Sequence, residues 1–213
     1  MRRGIGLEHP DPSRGTGALA WLHSLHNAIL RTRVTVGGAP VPLQLGLAAL
    51  RDRLADLRGR GGRLWWAANG GSAALASHLS QDLLMRCGVF SSVLSDAALL
   101  TCVANDYGYD QVYARPLKML MREGDLLIAV SSSGNSVNIL KAVEVARSGG
   151  VEVVAFSAFD EGNRLNHVPT AISFHLPSHC YGHAEVGHEA LVHAVIESLA
   201  EASRSAEAQL EEL

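Results

Sequence analysis

The stretch Asp125 to Gly150, DLLIAVSSSGNSVNILKAVEVARSGG, constrains the fold of this chain more than any other. Leu126 to Val130 is a short aliphatic run of the kind that lies buried on both faces of a parallel sheet. Six small or polar residues, Ser131 to Ser136, follow it. Val137, Leu140, Val143 and Ala146 then recur at helical spacing, and Gly149-Gly150 ends the helix. A loop between a parallel strand and a helix brings free backbone N–H groups and the positive end of the helix dipole to one point. With hydroxyls from Ser131, Ser132, Ser133 and Ser136, it suits a phosphate and needs no lysine. A polar turn carrying only an N-cap fits the same string, so this loop alone leaves both readings open.

The plan recurs upstream. Arg63 to Ala68 (RLWWAA) reads as a strand, followed by Asn69-Gly70-Gly71-Ser72 and a helix through about Met85. Phe90 to Leu94 is a short strand, and Asp96 to Val103 a helix running into Ala104-Asn105-Asp106-Tyr107-Gly108-Tyr109. A helix over Gln111 to Arg122 leads into the central strand. Strands at Val151 to Phe156 and Ala171 to Leu176 flank a short turn near Glu161 to Leu165, and a long helix runs from about His183 to Leu210. This alternation predicts an α/β fold: a doubly wound, mostly parallel sheet of five strands flanked by helices. Ligands of such sheets sit beyond the carboxyl ends of the strands where strand order reverses, and both Gly/Ser loops lie at carboxyl ends. Asn69-Gly70-Gly71-Ser72 is not GxGxxG, no well-placed acid closes the second strand, and the Walker lysine is missing. No nucleotide cofactor is expected.

Ahead of this domain, assigned to residues 61–213, lie two amphipathic helices within 18–60. Leu19, Leu22, Leu25, Ile29 and Leu30 mark the first; after a break at Gly37-Gly38-Ala39-Pro40 the second spans about Leu43 to Leu57. Neither has a core of its own, so both are expected to pack on the α/β domain or on another subunit's copies. Residues 1–17 read as disordered, without the apolar core of a signal peptide.

The 18 basic and 21 acidic residues give a net charge of −3, with no basic patch, which argues against a nucleic-acid binder. No apolar run is long enough to span a bilayer, so no membrane partner is expected. Cys87, Cys102 and Cys180 are odd in number and widely spaced, forming neither a disulfide framework nor a CxxC zinc pair. A cytoplasmic location fits best.

Together, Asn69 to Ser72, His78, Ala104 to Gly108, Glu123-Gly124-Asp125, Ser131 to Ser136 and Glu185 to His193 resemble the SIS (sugar isomerase) family of phosphosugar-binding domains and, within it, the phosphoheptose isomerases. The resemblance covers about residues 18–200. It implies an aldose–ketose isomerase acting through an enediol on a seven-carbon or related long-chain sugar phosphate, such as sedoheptulose 7-phosphate. It also implies a homotetramer with shared active sites and the N-terminal helices in its core. The phosphate would sit on Ser131, Ser132, Ser133 and Ser136 with Asn69, Gly70 and Ser72 nearby, and Asn105, Asp106 and Glu185 would add substrate contacts. Asp82 and His193 fall on the catalytic positions. Some relatives bind zinc, and the corresponding ligands are His78, Asp82, Glu185 and His193. Two residues depart from the pattern: Asp82 stands where the family has glutamate, and Glu185 where it has glutamine.

The chemistry agrees with the resemblance. Moving a carbonyl from C2 to C1 takes a proton from carbon and returns one, while a second group protonates oxygen; a carboxylate and an imidazole suit these tasks. His78 and Asp82, four residues apart, share a helix face. His188 and His193 diverge by about 140° on a helix, so HEALVH is not the HExxH zinc site. Glu185 and His193 are separated by about 12 Å of helical rise, so both would have to lean inward to share an ion. The competing reading is a non-catalytic SIS protein that binds a sugar phosphate or a protein partner such as a bacterial replication initiator. Those relatives tend to lose the last-helix histidine, which this chain keeps. A sugar-phosphate-sensing regulatory domain is a third reading, but no basic helix-turn-helix stretch accompanies it.

Overall fold

A computed structural model describes residues 17–211, with side chains through residue 202. The expected disorder of residues 1–17 falls outside the described residues, apart from Gly17. Seven strands form one sheet in the order β2-β1-β7-β6-β5-β3-β4. Five are parallel and are the five that the sequence pattern predicts: β3 (Leu64–Ala68), β4 (Ser91–Val93), β5 (Leu126–Ser131), β6 (Glu152–Ala158) and β7 (Ile172–Leu176). From β3 the chain steps outward to β4, then returns to β5 on the other side and continues to β6 and β7. The reversal therefore lies between β3 and β5, where Ala68 pairs with Val130 and the two Gly/Ser loops emerge side by side.

The other two strands were not expected. β1 (Arg33–Val36) and β2 (Ala39–Val41) form a hairpin that joins the sheet antiparallel to β7. Gly37 and Gly38, both at positive φ (58° and 83°), make the turn. What reads as a break between helices is a hairpin whose strands are too short to show alternation. Pro40 lies on the edge strand, where its missing N–H disturbs no ladder.

The two faces of the sheet carry separate cores. Ile128, Val130, Val154, Phe156 and Phe174 face α2 (Leu43–Gly59), α3 (Gly70–Cys87) and α7 (Tyr181–Glu211), and Phe156 stacks on Phe174 with centroids 4.7 Å apart. Leu127, Ala129, Val153 and Ala155 face the layer of α4 (Ala97–Tyr107), α5 (Ala114–Leu120) and α6 (Val137–Ser148). The helix expected over residues 111–122 is a 3-10 turn, Tyr109–Gln111, followed by the shorter α5, which admits Pro116 only because it lies in the first turn.

Of the two outcomes expected for the N-terminal helices, α2 takes the first. Leu50, Leu54 and Leu57 are fully buried in the same core as Trp66 and Phe156, so this helix covers its own chain's sheet. The first helix, α1 (Gly17–Leu30), differs: it buries Leu25 and Ala28 and leaves Leu19, Leu22 and Leu30 more than half exposed.

Candidate functional site

Two helices, α3 and α6, start at the sheet's point of reversal, and neither is capped by the side chain of its own N-cap residue. Asn69 and Ser136 occupy the N-cap positions and make no capping hydrogen bond. Elsewhere in the chain the same job is done: Asp96 accepts from Leu99 N ahead of α4, at 2.8 Å. Apart from Ile139 N, which donates to Asn138 Oδ1 at 3.1 Å, the first-turn N–H groups of these two adjacent helix starts are open to an anion.

Between them lies a cavity of about 250 Å³, lined by Asn69, Gly70, Gly71, Ser72, Val130, Ser131, Ser132, Ser133, Ser136, Tyr181 and Glu185. It gathers every serine of the central loop together with the β3 loop, as the sequence predicts. Ser131 and Ser132 are nearly buried, and Ser131 Oγ donates to Ser136 Oγ at 3.3 Å. Among the cavity's lining residues none is basic, so an anion there depends on N–H and O–H donors.

The serine loop is held rigidly. Gly134 adopts φ +62°, and a Cβ there would overlap the Asn163 carboxamide. Leu165 N donates to Gly134 O at 2.9 Å, Arg164 N to Asn135 Oδ1 at 3.1 Å, and Ala158 N to Ser132 O at 2.9 Å. From the other side Glu185 leans over Gly71 so closely that a Cβ on Gly71 would overlap its carboxylate. The structure therefore places Glu185 at the rim of this cavity.

Further along the same helix pair lies a second group. The α3 and α7 helices run in the same direction, so Gly71 meets Glu185, His78 meets His193, and Arg86 meets Glu197. His78, Glu189 and His193 offer ligand atoms that all lie within 4.8 Å of one another. Of the four residues expected to share a metal, His78 and His193 come together, whereas Glu185 is not in this group. Glu189, one turn beyond it, supplies the carboxylate. The separation along the helix decides this, since side chains of residues eight apart start about 12 Å from each other. Two imidazoles and a carboxylate are a legitimate donor set for zinc, so these residues fit a divalent ion. Asp82 borders the group: its Oδ2 is 3.9 Å from His193 Nδ1 and 3.3 Å from Arg86 Nη1, and Arg86 Nη2 reaches Glu197 at 2.7 Å.

His188 is separated from this group, as its helical angle predicts. It is buried against the sheet, with its ring edge on Phe156 and its Nε2 donating to Ser157 O at 3.0 Å. Asn105 and Asp106 are not at the cavity. Both are exposed at the end of α4, where Asn105 Nδ2 donates to Asp106 Oδ1 at 2.8 Å. Tyr109, three residues on, reaches the site instead, with its hydroxyl donating to Asn69 Oδ1 at 3.4 Å. Sequence reasoning also passed over Asn138, which forms two hydrogen bonds with Asn69, and Tyr181. Asn138 sits three residues beyond the Ser-Gly-Asn turn, in the first turn of α6, and nothing in the sequence pattern marked it.

Three comparisons bear on the site. The chain matches the SIS domain over residues 43–158. It is 34% identical over 157 residues to a phosphoheptose isomerase of Roseiflexus, covering 71% of this chain and 79% of that one, and 41% identical over 114 residues to one of Yersinia pestis, covering 51% and 59%. Its fold superposes on a solved phosphoheptose isomerase from Francisella tularensis with a TM-score of 0.74, at 25% identity over 86% of this chain and 96% of that one.

Proposed function

This chain belongs to the SIS domain family, and from that premise we propose that it is an aldose–ketose isomerase acting on a seven-carbon or related long-chain sugar phosphate. One observation carries the proposal: the anion cavity and the histidine group lie along one helix pair at a spacing that fits such a substrate. Glu185 marks the cavity, and Glu189 and His193 stand about 6 and 12 Å beyond it in helical rise. An extended seven-carbon chain has six C–C bonds of about 1.5 Å, which in a zigzag reach about 8 Å end to end. A phosphate on Ser131 to Ser136 then leaves the far end of the sugar near His78, Asp82, Glu189 and His193.

In this reading the serine hydroxyls and the two uncapped helix starts hold the phosphate, and Ser72, Gly70 and Asn69 border it. The ketose loses a proton from C1 to a carboxylate, and the resulting enediol regains one at C2 while protons are exchanged between O1 and O2. Asp82 is assigned the carbon-bound proton and His193 the oxygen-bound one, since Asp82 Oδ2 already faces His193 Nδ1. His78, Glu189 and His193 are the residues that would hold zinc, which when bound would polarise the sugar's oxygens.

The exposed Leu19, Leu22, Leu30 and Leu45 support a homotetramer, in which α1 would cover the apolar groove between Leu30, Leu43, Leu47 and Val195 of another copy. Exposed Asn105 and Asp106 would then serve a neighbour's site. Among the described residues no helix is long and apolar enough to cross a membrane. The free Cys87, Cys102 and Cys180 agree with a cytoplasmic location.

The test is incubation with sedoheptulose 7-phosphate in deuterium oxide, followed by NMR. An aldose product carrying deuterium at C2 is the expected result. Absence of both product and exchange, for seven- and eight-carbon ketose phosphates alike, would leave the non-catalytic binding reading in its place.

A further inference from the structure

We propose that Asn138 is a positioning residue that sets the hydrogen-bond polarity of Asn69, so that Asn69 presents an N–H rather than a carbonyl oxygen to the anion cavity. The proposal rests on the reading of that cavity as a phosphate site. Asn138 is the second residue of α6 and only 4% exposed, and it is not among the residues that line the cavity. Its carboxamide pairs reciprocally with that of Asn69: Asn138 Nδ2 donates to Asn69 Oδ1 at 2.8 Å, and Asn69 Nδ2 donates to Asn138 Oδ1 at 3.0 Å. The bond pair ties the β3 loop to the β5 loop across the sheet's point of reversal.

A reciprocal amide pair has no polarity of its own. Turning both carboxamides over exchanges donors for acceptors and restores the same two hydrogen bonds, so outside groups decide the orientation. One such group can be read without ambiguity. Ile139 N, the third N–H of α6, belongs to the first turn, whose amides have no acceptor within the helix, and it donates to Asn138 Oδ1 at 3.1 Å. A backbone N–H can only donate, so the Asn138 oxygen must face it. Tyr109 Oη donates to Asn69 Oδ1 at 3.4 Å in this orientation, but a hydroxyl accepts as readily as it donates, so it follows the polarity that Ile139 N sets.

With the pair locked this way, the Asn69 oxygen is occupied by two donors, and one N–H of its amide is left without a partner. In the reverse orientation the same edge of Asn69 would offer a lone pair to the phosphate, which repels it. The lock also accounts for an N-cap asparagine that does not cap α3: its side chain is committed to α6. An orphan amide at the start of one helix thereby fixes a donor beside the start of another.

The experiment is calorimetric titration of the full-length protein with inorganic phosphate and with sedoheptulose 7-phosphate. Asn138→Leu keeps the size and removes both hydrogen-bonding groups. It is expected to weaken phosphate binding about tenfold, the scale of one charge-assisted hydrogen bond. Asn69→Leu should do the same, and the double variant should be no weaker than Asn69→Leu alone, because Asn138 acts through Asn69. Tyr109→Phe leaves Ile139 N in place to set the polarity and should change phosphate binding less than about twofold. In kinetics KM should rise with kcat nearly unchanged. Additive losses in the double variant, wild-type affinity in Asn138→Leu, or a loss in Tyr109→Phe as large as that in Asn138→Leu would overturn the proposal while leaving the phosphate site standing. Failure of the wild type to bind phosphate would overturn both.

Discussion

The imidazoles of His78 and His193 face each other across the α3/α7 interface, with ring centroids 5.2 Å apart and planes tilted by 54°. Neither ring is deeply buried, and Glu189 completes the group from the turn below His193. Zinc titration should therefore separate the carboxylates. His78→Ala and His193→Ala should abolish binding, Glu189→Gln should weaken it about 10- to 100-fold, and Glu185→Ala should leave it close to wild type. Loss of zinc with Glu185→Ala and none with Glu189→Gln would restore the ligand set implied by the family resemblance.

Asp82 differs from Glu189 in its company. Its Oδ2 stands between Arg86 and His193, a geometry that holds the carboxylate in place beside the imidazole. Asp82→Asn and His193→Ala should each lower kcat by about 10²–10⁴-fold while phosphate binding stays unchanged, since in the proposed mechanism both act mainly in the transition state. Asp82→Glu restores the residue usual in the family. A gain in turnover of heptose phosphate would identify the shorter acid as a compromise, and a loss would point to a pocket shaped for another sugar. The measurement is steady-state kinetics beside phosphate calorimetry.

The parallel strands and the positions of both Gly/Ser loops were legible because each signal is local. Leu126 to Val130 is buried throughout, and the Ser131 to Ser136 loop had to follow it at a carboxyl end. What was not legible depends on which residues meet across elements. Glu185 and His193 share a helix and a family motif, yet only the register of α7 against α3 places the first at Gly71 and the second at His78. The hairpin at Arg33 to Val41 was missed because its strands are three and four residues long, and their pairing with β7 is a tertiary fact. Asn138 carried no signal of its own, since a helix-start asparagine usually serves its own backbone.

Gly134 gives a test of the loop independent of its hydroxyls. Its φ of +62° is costly for any residue with a Cβ, and that Cβ would also overlap Asn163, whose Oδ1 accepts from Asn166 N at 3.0 Å. Gly134→Ala should destabilise the fold by about 2 kcal/mol or more, combining backbone strain with overpacking. Phosphate affinity should fall with it, because the serines on either side move. Urea denaturation and phosphate calorimetry on the same preparation would check both effects, and an unchanged pair would mean that the loop adjusts freely.

The last prediction concerns acid. His188 is buried on the sheet, its Nε2 donates to Ser157 O, and its Nδ1 has no hydrogen-bond partner. The ring is therefore neutral in the fold, and protonation would place an unsatisfied donor and a charge in the core. Burial pushes its pKa down from 6.5 to about 4, opposed by the hydrogen bond to Ser157, with His175 lowering it further. Burial also lowers the pKa values of His175 and His183. Between pH 6.5 and 4 the unfolded chain binds a proton at His188 that the folded chain does not. The stability this residue contributes is thus complete above about pH 6.5 and lost as the pH falls towards 4, by up to about 3 kcal/mol. His188→Gln retains an N–H donor for Ser157 and cannot titrate. Its unfolding free energy should fall less steeply than the wild type's between pH 7 and 5, by about 2 kcal/mol over that interval. Urea denaturation at pH 5, 6 and 7 measures the two slopes, and identical slopes would assign the acid sensitivity to other groups.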